Sequence, residues 1–312
     1  MKGDRPIKVY ILTGFLGAGK TTILNSLLSQ FTGYRNVVIE NEFGKVNIDA
    51  TLIAEKIDQL YELTSGCICC SLDNDLMEVL GGILRQEHRP DHVFIETTGI
   101  ADVGNIVGMF HTPDVKRHYT LVSTICITDA ENVFERLQQV PETGKQISCA
   151  DVIIINKIKQ LPVSQLIYLS QQLEQMNPLA FITTSENGSI SLDTLQFPEK
   201  PLVPQAPVPA VKSPHKVNTV LFQSPQAFDL NMLVFVLDFH CNVYPDQLYR
   251  IKGYIQVKDS PDRMLVQSTG KYLNILPAGQ WGDIPPSSTL VFIGKDLKTA
   301  TIQRILAPAL RG

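Results

Sequence analysis

Residues 9–12, Val-Tyr-Ile-Leu, form an apolar run that leads through Thr13 into Gly14-Phe15-Leu16-Gly17-Ala18-Gly19-Lys20-Thr21, a complete phosphate-binding loop of the form G-x-x-x-x-G-K-[ST]. Such a loop works only between a strand and a helix. The strand gives a rigid base, the glycines let backbone N–H groups turn inward, and the helix beginning near Gly19 aims its positive dipole end at the same point. Lys20 is placed to reach the β- and γ-phosphates of a nucleotide. Thr21 offers a hydroxyl to Mg²⁺, which takes hard oxygen ligands. Gly14, Gly17, Ala18, Gly19 and Thr22 complete the expected cradle.

The rest of the chain fits an α/β fold. Short β-branched runs at 7–13, 36–41, 91–97, 120–128, 151–156 and 179–184 alternate with helical patterns, the rhythm of a mostly parallel sheet with helices on both faces. Between 71 and 85 the apolar positions Leu72, Leu76, Val79, Leu80, Ile83 and Leu84 recur at helical spacing and read as core. At 312 residues and 44% hydrophobic, the chain can bury one large core and one smaller one. The stretch 197–214 carries Pro198, Pro201, Pro204, Pro207, Pro209 and Pro214, and sustains neither helix nor sheet interior. We therefore expect a P-loop domain over 1–196, a proline-rich linker over 197–214 and a second domain over 215–312. In that last part, strands at 216–222, 253–257, 264–268, 271–276 and 289–294, with helices at 229–239 and near 298, predict a small α+β layer.

Charge excludes two classes of partner. The net charge of −4 comes from 27 basic and 31 acidic residues mixed along the chain, so neither nucleic acid nor a membrane surface is an expected partner. No apolar run approaches the roughly 18 residues of a spanning helix, and residues 1–20 do not read as a leader peptide. A cytoplasmic location is expected. Six cysteines in such a chain fit a reducing compartment, where a cluster binds metal more readily than it forms disulfides.

One such cluster exists. Gly66-Cys67-Ile68-Cys69-Cys70 packs three thiols into four positions. Three thiolates from one loop suit Zn²⁺ or Cu(I), with a fourth ligand from protein or water in the zinc case. Carboxylates also stand where a nucleotide and its ion would lie. The run Val93-Phe94-Ile95-Glu96-Thr97-Thr98-Gly99 ends an apolar strand in an acid and then a glycine, the layout by which P-loop proteins hold Mg²⁺ and sense the γ-phosphate. Glu96 and Gly99 are the switch candidates. Glu40, Glu42 and Asp49 offer further acids after the second strand, and Glu42, Asp49 and Glu96 compete for the role of positioning the attacking water.

Taken in order and at these separations, GFLGAGKTT, IENEFG, SGCICCS and IETTG resemble the CobW family of P-loop GTPases and metallochaperones. Arg250-Ile251-Lys252-Gly253, Leu265-Val266-Gln267, and the stretch from Trp281-Gly282-Asp283 to Phe292-Ile293-Gly294 look like that family's C-terminal domain, in particular its YjiA-like branch. The resemblance implies GTP hydrolysis coupled to binding a transition metal, zinc or cobalt, and delivering it to a client metalloprotein. Cys67, Cys69 and Cys70 carry over as the metal motif, with Glu42 close to it. It also implies that Asn156 and Lys157 belong to the guanine-recognition motif N-K-x-D.

The chain departs from that pattern at one informative place. Asn156-Lys157-Ile158-Lys159 puts a lysine where the family has the aspartate that accepts from guanine N1–H and the exocyclic amine. A lysine donor facing two guanine donors cannot replace that pairing, so a weaker preference for guanine over adenine is expected. Lys45 and Val103 also stand where the family commonly has an acid and a proline. A second reading from another class stands beside the first: a nucleotide-binding regulatory protein whose zinc is structural. The rate at which metal moves to an acceptor separates the two.

Overall fold

The computed structural model describes residues 5–40, 58–63, 72–191, 216–282 and 285–310. Its first part runs β1 (Ile7–Thr13), α1 (Lys20–Leu28), β2 (Asn36–Glu40), β3 (Gln59–Glu62), α2 (Leu72–Leu84), β4 (His92–Glu96), α3 (Val103–Met109), α4 (Pro113–Lys116), β5 (Tyr119–Asp129), α5 (Val133–Gln139), α6 (Pro141–Cys149), β6 (Val152–Asn156), a 3-10 turn (Ile158–Gln160), α7 (Val163–Met176) and β7 (Phe181–Ser185). The seven strands form one sheet in the order β3-β2-β4-β1-β5-β6-β7, every neighbouring pair parallel.

Burial on both faces explains the apolar strands. In β1 every residue except Lys8 is buried, and successive side chains enter opposite layers. Ile7, Val9 and Ile11 join Val93, Ile95 and Val37 on one face, beneath α2 and α3. Tyr10 and Leu12 join Phe94, Ile125 and Ile127 on the other, against Ile23, Leu24 and Leu27 of α1. The registers Leu12↔Glu96, Thr13↔Cys126 and Asp129↔Asn156 align the C-terminal strand ends. In an open α/β sheet, ligands bind outside that edge.

The second part runs β8 (Val217–Ser224), α8 (Leu230–Val243), β9 (Leu248–Gln256), β10 (Asp262–Thr269), β11 (Tyr272–Gln280), β12 (Ser288–Lys295) and α9 (Thr299–Leu310). Its strands form an antiparallel sheet in the order β11-β10-β9-β12-β8. One face packs on α8 and α9 through Phe228, Leu233, Leu237, Ile251, Phe292 and Leu306. The other face meets the first part, where Val217, Tyr249, Val291 and Ile293 share a cluster with Ile147, Leu173 and Met176. Arg250 fastens this contact. Its guanidinium donates to Ala150 O and Asp151 Oδ1, each at 2.7 Å.

Two elements differ from the sequence expectation. β3 is a four-residue strand whose QLYE carries no apolar run, and it forms because β2 offers it a parallel edge. β9 begins at Leu248, not at 253, because Arg250 and Lys252, which break the apolar pattern, face the first part of the chain instead of water. The proline-rich stretch 197–214 lies outside the described residues.

Candidate functional site

The phosphate loop is held by the ends of β5 and β6. Gly14, Gly17 and Gly19 have φ of 138°, 76° and 99°, a region costly for any residue with a Cβ. A Cβ on Gly14 would collide with the carbonyl oxygen of Ile127, and one on Gly19 with the amide of Asn156. Asn156 Nδ2 donates to Ala18 O at 2.9 Å, which ties the loop to β6. Lys20 opens α1, is 8% exposed, and folds its ammonium back toward Phe15 O at 3.5 Å. Thr22 is exposed beside it. On the outer side the Arg136 guanidinium of α5 lies over the Phe15 ring, 4.5 Å from its centre.

Thr21 and Glu96 meet across the site: Thr21 Oγ1 donates to Glu96 Oε1 at 2.9 Å. Next to them Thr97 Oγ1 donates to Thr13 Oγ1 at 3.1 Å, and Thr97 N–H to Leu12 O at 2.9 Å. A hydroxyl and a carboxylate at the end of a phosphate loop are hard oxygen donors, the set that suits Mg²⁺. Gly99 then presses against Leu16 of the phosphate loop so closely that a Cβ would collide with the Leu16 N–H.

At the other end, Lys157 adopts φ 61° and its ammonium pairs with Asp129 Oδ2 at 2.9 Å. Burial alone would raise the Asp129 pKa, but Lys157, the Asn132 amide and the Glu131 N–H together hold it below the usual carboxylate range. Lys159 sits exposed in the 3-10 turn, where no carboxylate of its own can face a base.

The expected metal residues Glu42, Cys67, Cys69 and Cys70, and the acid Asp49, lie outside the described residues. Cys126, Cys149 and Cys241 are buried thiols, and burial pushes their pKa values up to about 12, 12 and 11. Thiols so held remain protonated and serve as core. Among the described residues no group of three or more His, Cys, Asp or Glu is placed to hold a metal.

Three side chains at the site escaped the sequence reading: Asp129, Arg136 and Gln146. Asp129 ends an apolar strand in an acid, as Glu96 does, and that repeated pattern is a usable signal. Arg136 and Gln146 lie on α5 and α6, whose sequences carry no motif, and only folding brings them to the phosphate loop.

Comparison with known proteins agrees with this geometry. Residues 8–184 match the family model described as CobW/HypB/UreG, nucleotide-binding domain, and residues 217–310 match the cobalamin synthesis protein cobW C-terminal domain. The chain is 32% identical to the zinc chaperone YjiA of Escherichia coli, covering 97% of this chain and 98% of that protein. It is 35% identical to zinc-regulated GTPase metalloprotein activator 1 of Schizosaccharomyces pombe, over 59% of this chain and 47% of that one. The crystal structure of Zn(II)-bound YjiA GTPase superposes with a TM-score of 0.76 at 28% identity, covering 99% of this chain and all of that one. Among the described residues no helix is long and apolar enough to cross a membrane.

Proposed function

The chain belongs to the CobW/HypB/UreG family and is a GTP hydrolase, and from that premise we propose that it is a cytoplasmic metallochaperone that loads a transition metal onto a client metalloprotein. The observation that carries the nucleotide half is the Thr21–Glu96 bond set against a phosphate loop that only glycine can build. The zinc chaperones and the zinc-bound structure among its relatives support zinc as the cargo, with cobalt as the other candidate.

GTP hydrolysis transfers the γ-phosphoryl group to water and needs little covalent chemistry from the protein. Bound at Thr21 and Glu96, Mg²⁺ would neutralise charge building on the β- and γ-phosphate oxygens. Lys20 and the N–H groups of the loop that includes Gly14, Gly17, Ala18 and Gly19 stabilise the same charge, fixed in place before the reaction. Thr22 borders the phosphates, Gly99 faces the γ-phosphate, and Asn156 and Lys157 flank the base. Glu96 and Asp49 are the carboxylates assigned to orienting the water.

The cargo site is assigned to Cys67, Cys69 and Cys70 with Glu42. Thiolate ligation releases protons, so metal binding weakens as pH falls. The segments carrying these residues lie between β2 and α2, and α2 leads into β4 and Glu96. Chaperone action requires that nucleotide and metal alter each other's affinity by one common factor, typically 5- to 150-fold. Zn²⁺ and Co²⁺ affinity and release are to be measured with no nucleotide, with GDP and with a non-hydrolysable GTP analogue. Equal values in all three states would leave the structural-zinc reading, and tight binding retained in Cys67→Ala, Cys69→Ala and Cys70→Ala would remove the assigned site.

A further inference from the structure

Two consecutive residues of α6 hold the two ends of the loop that follows β4. Gln146, wholly buried, donates from Nε2 to Gly99 O at 3.0 Å. Lys145 donates to Asp102 Oδ2 at 3.1 Å and to Asp246 Oδ1 at 3.0 Å. Adjacent helical positions are turned by about 100° from each other, so one faces the phosphate loop while the other faces outward. Asp246 belongs to the second part of the chain, in the turn between α8 and β9. A single helix therefore touches the γ-phosphate side of the nucleotide site and the antiparallel domain at once.

The Gln146 amide has one workable orientation, because reversing it would set its Oε1 against the carbonyl oxygen of Gly99. The preceding carbonyl, Thr98 O, is taken by Ala101 N–H at 3.2 Å. In a planar trans peptide the N–H points opposite to the C=O, so the Gly99 N–H direction is set once Thr98 O is engaged. Gln146 fixes the next peptide in the same way. Asp102, at the loop's far end, caps α3 by accepting from Gly104 N–H at 3.1 Å. Along α3, Gly104 packs closely on Gly270 and Gly108 on the Tyr272 ring, both in the second domain, and a Cβ on Gly108 would collide with that ring.

We propose that Gln146 is a positioning residue for the loop that reads the γ-phosphate, and that the Asp102–Lys145–Asp246 bridge makes that reading respond to the C-terminal domain. The inference rests on the placing of Gly99 beside the γ-phosphate. The Asp246 side chain is 86% exposed and Lys145 13%, so the outer half of the bridge adds little to stability and its loss does not unfold the protein. What its loss changes is the freedom of α6, and with it the loop.

The test compares GDP and a non-hydrolysable GTP analogue in calorimetry, and kcat for GTP, in the full chain. Gln146→Met keeps the volume and removes the donor. It should weaken the analogue and lower kcat about tenfold while GDP affinity stays within about twofold, since GDP lacks the phosphate that Gly99 faces. Lys145→Met and Asp246→Asn should shift the analogue-to-GDP ratio the same way, about fivefold, and Lys145→Arg, which still bridges two carboxylates, should keep the wild-type ratio. Equal losses for both nucleotides, or no change in the ratio in any of the three, overturn the proposal. If Gln146→Met proves too unstable to assay, the Lys145 and Asp246 variants carry the same decision. Lys20→Ala separates the two readings: analogue binding that survives it means that the phosphate site is elsewhere and that the assignment of Gly99 fails, not the bridge.

Discussion

Thr21 Oγ1 donates to Glu96 Oε1 at 2.9 Å, joining the first turn of α1 to the C-terminal end of β4 across 75 residues of sequence. The bond sets the hydroxyl and the carboxylate side by side before any ion arrives. A metal that binds there meets donors already oriented, which lowers the ordering cost of binding.

Thr21→Ala and Lys20→Ala should each abolish most Mg²⁺-dependent nucleotide binding, whereas Thr21→Ser, which keeps the hydroxyl, should retain it. Titration calorimetry with and without Mg²⁺ reads the difference. Wild-type affinity in both alanine variants would refute the assignment of the phosphate loop.

Lys159→Asp should raise the preference for GTP over ATP. Each hydrogen bond regained by a base edge that otherwise faces a donor is worth about 1–3 kcal/mol, or roughly 5- to 150-fold. Competition between the two nucleotides measures the ratio. A wild type that already discriminates by such a factor, and gains nothing from the substitution, would show that guanine is read by other residues.

His92 predicts a pH dependence of stability. It is 4% exposed, its ring lies 4.6 Å from that of Phe31, and its Nδ1 sits 3.2 Å from Asn36 Oδ1. Burial, helped by Lys8 and opposed by Asp91, holds its pKa down to about 4. Between about pH 6.5 and 4 the unfolded chain binds a proton that the folded chain does not, so stability falls as pH drops, approaching 1.4 kcal/mol per unit for this group. His111, also lowered to about 4 by burial, adds in the same direction. His92→Phe should flatten the slope of urea-unfolding free energy between pH 4.5 and 6.5, and an unchanged slope would exclude His92 as a source.

Arg250→Met should loosen the contact between the two sheets. The guanidinium satisfies Ala150 O and the half-buried Asp151, whose pKa burial would raise and Arg250 holds low. Removing it leaves Ala150 O with the Asn177 amide and Asp151 with the Thr124 N–H but no countercharge, at a cost of about 1–3 kcal/mol. Thermal melting should show a lower midpoint, and it should fall much less for Arg250→Lys, which keeps the charge. Equal melting of Arg250→Met and wild type would mean that the apolar contacts alone hold the interface.

The sequence by itself determined the strand–loop–helix at Ile7–Leu28 and the acid ending β4, because both rest on short-range rules. Only glycine tolerates the backbone at Gly14 and Gly19, and an apolar run closed by Glu96 and Gly99 is visible in one window. It also marked Lys159 as a departure, since a motif is read position by position. Tertiary structure decided the remainder. The four-residue β3 exists because β2 presents an edge, and β9 starts at Leu248 because Arg250 finds Asp151 across the domain contact. Gln146 and Lys145 carry no local signal at all. They matter because folding sets α6 between Gly99 and Asp246, 147 positions apart in the chain, and hydrogen bonds depend on distance in space, which no spacing along a sequence encodes.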